Sequence, residues 1–114
     1  MSSIVELAAR QLVAYNDSDL NAFCACYHPE VVVLDCDEQI VVGIEDFRER
    51  YRGLFEGFEF GAEVTQRLDA GDHCVDYETW WRIDPGTGER SQGVVLVRYT
   101  LRDQTIGWVQ FFRE

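Results

Sequence analysis

Few side chains in this sequence combine chemical reactivity with apolar surroundings. A β-branched run at residues 30–36 carries Asp35 near its end, where the acidic series Asp35-Cys36-Asp37-Glu38 begins. A carboxylate that closes a strand and faces an apolar cavity is desolvated and less acidic, which suits abstraction of a proton beside a carbonyl. Asp35 reads equally as the first residue of an exposed acidic turn, and spacing supports both. Gln11 and Tyr15 lie one helical turn apart within the apolar series Leu7, Ala8 and Leu12. A buried amide there must find a partner, and Tyr15 brings a hydroxyl from the next turn of the same face. At a helix edge, Gln11 would instead bond water. Tyr77 and Tyr99 sit in alternating segments, and a buried phenol normally takes a hydrogen-bond partner, which makes both candidates for orienting a polar ligand group.

Other chemistries find little support. All ten basic residues are arginine, so lysine Schiff-base chemistry and a P-loop are excluded. Cys24, Cys26, Cys36 and Cys74 form neither a C-x-x-C pair nor a disulfide framework and read as buried thiols. His28 precedes Pro29 at a helix end and His73 follows a turn, so both read as structural or exposed, and no metal or cofactor is expected. The net charge of −11 opposes nucleic acid and anionic membrane surfaces. The aliphatic runs are too short to span a bilayer and the first residues lack a signal-peptide pattern, so a cytoplasmic protein is expected.

The elements that must position these groups follow from periodicity. A length of 114 residues with 46% hydrophobic content suits one domain over 1–114. Ser3 to Glu6 reads as a capping box for a first helix, and residues 16–19 break it and cap a shorter helix that the pattern carries to Pro29. A strand at 30–36 and a short partner at 39–42 precede a third helix opened by Gly43. Alternating segments at 58–68, 74–83, 91–101 and 105–112, separated by turn residues, predict hairpins. The expected class is α+β, a curled antiparallel sheet wrapped around three helices.

Both faces of residues 74–83 carry large side chains: Val75, Tyr77, Thr79 and Trp81 on one, Asp76, Glu78, Trp80 and Arg82 on the other. Placed away from the helices, Trp80, Trp108 and Phe112 would form an exposed apolar patch, which predicts a face-to-face homodimer with Arg67, Glu78 and Arg98 as polar pairs beside it.

The strings YNDSDLNAF, YHPEVVVLD and VVGIEDFRERYRGLF resemble the signature of nuclear transport factor 2-like proteins, in the SnoaL-like and ketosteroid isomerase branch. The resemblance spans nearly the whole chain and implies a cone-shaped fold, a pocket between helices and concave sheet, and frequent dimers. It aligns Asp35 with the isomerase general base. Gln11 and Val97 stand where the isomerase carries its tyrosine and aspartic acid oxyanion donors, so both strong donors are missing. With Val97 inward as the resemblance implies, period two puts Tyr99, Tyr77, Trp81 and Phe111 on the pocket side.

Three functions rank in order. The first is a cofactor-independent isomerase or cyclase in which Asp35 moves a proton on a small hydrophobic carbonyl compound. The second is a non-catalytic module that binds a small apolar molecule or dimerises. The third is dehydratase or epoxide hydrolase chemistry, which needs a second group beside Asp35; Arg67 and Glu78 are available, but register puts them on the face opposite the pocket.

Overall fold

The computed structural model describes residues 2–113. Helix α1 (Ile4–Asn16) starts where Ser3, in extended conformation, accepts a hydrogen bond from the Glu6 amide at 3.1 Å. Such a cap contributes about 1 kcal/mol. Ile4, Leu7, Ala8, Gln11 and Ala14 form its buried stripe. Asp19 caps α2 (Leu20–Cys24) by accepting from the Ala22 amide at 3.0 Å. This helix stops well short of Pro29, and His28 and Pro29 belong instead to strand β1 (Tyr27–Asp35). The ring of Pro29 disfavours helical geometry at the preceding His28, so the chain must already be extended there. His28 is thus a strand residue, bonded to Asp103 at 3.2 Å.

Strand β2 (Glu38–Val42) folds back on β1, and α3 (Ile44–Gly57) follows. Four long strands complete the chain: β3 (Glu59–Ala70), β4 (His73–Ile83), β5 (Arg90–Arg102) and β6 (Thr105–Arg113). They form one open six-stranded sheet in the order β2-β1-β6-β5-β4-β3. Neighbours run antiparallel except β1 and β6, which are parallel because the chain returns through the whole meander before reaching β1 again. Register breaks that leave Thr65 of β3 and Gly107 of β6 as the extra residues bend these strands and deepen the curl of the sheet.

The helices fill the concave side, with α1 against β3 to β6 and α3 against β1 to β3. Phe23 is the hub of the core, stacked on Phe47 with centroids 5.6 Å apart and meeting Tyr27, Tyr51 and Phe55. On the convex side Tyr77 of β4 faces Leu96 of β5, which faces Phe112 of β6, and all three are exposed. Trp108 projects from the same side, whereas Trp80 points into the cone, so the exposed apolar patch holds Tyr77 and Leu96 in place of Trp80. Among the described residues no helix is long and apolar enough to cross a membrane.

Candidate ligand cavity

Helices and concave sheet enclose a cavity of about 260 Å³. Its apolar wall comes from Phe23, Leu54, Trp80, Val95, Val109 and Phe111. Gln11 and Tyr15 reach it from α1, Tyr99 from β5, and Glu78 and Arg82 from β4. Tyr27 of β1, Arg50 and Tyr51 of α3 and Arg113 of β6 complete the lining.

Gln11 organises the polar floor. It is buried; its amide nitrogen donates to the Ala8 carbonyl at 3.0 Å and to the Tyr99 hydroxyl at 3.1 Å, while its carbonyl accepts from the Tyr27 hydroxyl at 3.1 Å. Both amide protons are therefore used within the protein. Tyr99 accepts rather than donates in this network, so its own proton remains for a further acceptor. Burial pushes the Tyr99 and Tyr27 phenols well above 10 and Tyr15 up to about 12, so all three stay neutral donors.

Glu78 is the carboxylate of this cavity. Desolvation and the charge of Asp76 push it up from 4.5 to about 7, against a smaller opposing pull from Arg113. No donor among the described residues bonds it, whereas Asp76, two residues earlier on the same face, is fully buried and clasped by Arg67 through bonds of 2.6 and 2.9 Å. A carboxyl held near neutrality and without a fixed partner can take up or release a proton at ordinary pH.

The residues expected from sequence are distributed unevenly. Gln11, Tyr15, Tyr99 and Phe111 line the cavity, and Val97 is buried beside it in the core. Tyr77 and Trp81 project from the opposite, convex face, because β4 pairs with β5 so that Asp76 faces Val97 and Glu78 faces Val95. The same register corrects Arg67 and Glu78, which stand on the concave side and cannot border a convex interface; the β3 bulge at Thr65 reverses the alternation and turns Arg67 inward. Asp35 lies at the rim rather than in the apolar interior, partly exposed, with its carboxylate 3.1 Å from Arg113. Arg67 bonds Asp76 and does not reach Asp35. Sequence reasoning missed Glu78, Trp80, Arg82, Arg50, Tyr51 and Arg113 as cavity residues.

Comparison with known proteins agrees with this architecture. The family profile described as a SnoaL-like domain matches residues 8–107. No curated protein matches the sequence significantly. Among solved structures, an uncharacterised cystatin-fold protein from Novosphingobium aromaticivorans superposes with a TM-score of 0.89 at 19% identity, covering 99% of this chain and 100% of its own. An LEH-like epoxide hydrolase from M. tuberculosis gives 0.86 at 14% identity over 97% of this chain and 82% of its own. TerC, co-crystallised with polyporic acid, gives 0.83 at 14% identity over 99% and 92%. At these identities the likeness concerns the fold.

Proposed function

This chain belongs to the SnoaL-like domain family, and on that premise we propose that it binds a small apolar carbonyl compound in its aromatic cavity and moves a proton on it without a cofactor, Glu78 being the base. The observation that carries this reading is the unpaired Glu78 carboxylate, pushed to about 7 inside the cavity where Asp35 is not. A base tuned near the working pH removes a proton α to a carbonyl most effectively. The Tyr99 proton, left over from the Gln11 network, is the donor best suited to the developing enolate oxygen. Asp35 serves in this reading to hold Arg113 at the rim. Structural relatives that include an epoxide hydrolase and a protein crystallised with polyporic acid support a small organic ligand. Free thiols at all four cysteines favour a cytoplasmic setting.

The test is deuterium exchange into a panel of enolisable aryl ketones, followed by NMR. Wild type accelerates exchange, Glu78→Gln loses about a hundredfold or more, and Asp35→Asn keeps most of the rate. Full exchange by Glu78→Gln, or loss confined to Asp35→Asn, overturns the assignment of the base.

One observation favours a second reading, a non-catalytic binding module: Gln11 has spent its amide protons internally and Val97 offers none, so the two positions aligned with oxyanion donors cannot serve. A ligand that raises the melting temperature while no ketone exchanges would establish it. In either case we place a homodimer contact on the Tyr77, Leu96, Phe112 row.

A further inference from the structure

The distribution of arginine around the cavity is at odds with the rest of the chain. Acidic residues outnumber basic ones 21 to 10, yet the cavity is lined by Arg50, Arg82 and Arg113 against the single carboxylate of Glu78. Arg113 is engaged by Asp35. Arg50 and Arg82 form no ion pair among the described residues, although carboxylates are abundant. The Arg82 Nε is buried with no hydrogen-bond partner. The Arg98 Nε, outside the cavity, is in the same state, so it is the two guanidinium groups without ion pairs at the cavity wall, Arg50 and Arg82, that leave donors for an acceptor arriving with a ligand.

The geometry also fixes how Arg82 presents itself. Its guanidinium lies over the Trp80 ring, 5.0 Å from the centroid. With no ion pair of its own among the described residues, Arg82 can take a planar acceptor, which a carboxylate matches with two parallel bonds. Glu78, Trp80 and Arg82 follow one another on the concave face of β4, so the backbone positions of Glu78 and Arg82 are about 13 Å apart with the indole between them. Arg50, exposed on α3, completes the cationic side of the mouth.

We propose that the ligand is a ring-bearing keto acid: its ring lies against Trp80, its carboxylate is bound by Arg82 and Arg50 at the mouth, and its carbonyl end points inward to Glu78. This rests on the proposed cavity chemistry for the carbonyl end only; anion recognition stands on the arginines.

The experiment uses matched pairs that differ only in charge: benzoate, 4-acetylbenzoate and 6-acetyl-2-naphthoate, each against its primary amide, titrated calorimetrically at pH 8. At least one carboxylate binds about tenfold or more tightly than its amide, and the preference weakens with salt. Arg50→Gln and Arg82→Gln each reduce the preference several-fold with little change in amide affinity, whereas Arg102→Gln, which removes a guanidinium paired with Glu30 outside the cavity, leaves it intact. Thermal unfolding checks the fold of each variant, and the exposed position of Arg50 keeps the test decisive should Arg82→Gln fail to fold. Equal or tighter binding of amides, no carboxylate binding at all, or a preference that survives in Arg50→Gln overturns the proposal. Deuterium exchange into the acetyl groups of the same samples separates the two ideas: carboxylate preference without exchange removes the catalytic reading alone, and exchange without preference removes anion recognition alone.

Discussion

Asp76 and Glu78 project from the same face of β4 two residues apart, and Arg67 is bonded to Asp76 and not to Glu78. The second carboxyl therefore feels both desolvation and the charge of the first, which together place it at about 7. Its folded value is raised above the ordinary 4.5, so the stabilising difference is fully present below 4.5 and is lost as pH rises through 7. The loss is on the order of 3 kcal/mol at most. Denaturant unfolding of wild type and Glu78→Gln at pH 4.5, 6 and 8 checks this. The stability of the variant relative to wild type rises across that interval and levels off above it; a constant difference would show that Glu78 titrates normally.

The Arg67 and Asp76 pair gives a second expectation. Asp76 is almost completely buried, so removing the cation paired with it leaves an uncompensated charge. Arg67→Leu costs about 3–5 kcal/mol, while replacing both residues by leucine recovers much of the loss because an apolar pair needs no solvation. Chemical unfolding of the single and double variants measures both values. A double variant as unstable as the single one would mean that the site needs the ion pair for its shape.

These two carboxylates also mark the limit of what the sequence discloses. The capping box at Ser3, the Asp19 cap and the alternation from residue 58 onward are local patterns, and they are legible because each records a local backbone requirement. Facing depends on register, which is not local. Starting β5 at Ser91 pairs Ile83 with Ser91 and sets Tyr77 opposite Val97; the strand begins at Arg90, which sets Asp76 there and Glu78 opposite Val95. One residue of slip exchanges every side chain between cavity and convex surface. Period two groups Tyr77 with Trp81 and Glu78 with Trp80 and Arg82, but it does not say which group faces the cavity. Val97 and Tyr99 were placed by the family resemblance, and counting pairs from an Ile83–Arg90 closure would have carried Glu78 in with them. The Thr65 bulge that turns Arg67 inward has no comparable local signature.

Gln11 supports two tyrosines at once, and its loss affects both. Gln11→Leu leaves the Tyr27 hydroxyl without its acceptor and the Tyr99 hydroxyl without its donor in a buried setting. The expected cost is about 1–3 kcal/mol, most of it from Tyr27. Tyr27→Phe in the Gln11→Leu background should return part of it. A double-mutant cycle read by thermal unfolding gives the coupling, and strictly additive effects would show that Gln11 and Tyr27 are not energetically coupled.

Tyr77, Leu96 and Phe112 stand in register across β4, β5 and β6 with 39%, 41% and 42% of their surfaces exposed. A continuous row of this kind on a sheet face is the contact expected for a two-fold pair of identical chains. Leu96→Glu sets like charges against each other across such an axis. Light scattering should find wild type as a dimer and the variant as a folded monomer, whereas an unchanged dimer would place the contact elsewhere.

The two tryptophans in sequence, Trp80 and Trp81, provide a control that separates stability from binding. Each lies over a glycine on the neighbouring strand but on opposite faces of the sheet: a Cβ on Gly93 would come within 2.8 Å of the Trp80 ring, and one on Gly61 within 2.8 Å of the Trp81 ring. Either substitution to alanine forces an indole to move, costing about 1–3 kcal/mol as overpacking does elsewhere. Only Trp80 forms part of the 260 Å³ cavity. Gly93→Ala should therefore weaken binding of 4-acetylbenzoate as well as lower the melting temperature, while Gly61→Ala lowers the melting temperature alone. Equal loss of affinity in both variants would mean that ligand affinity follows general stability and that the Trp80 ring is not a wall of the binding site.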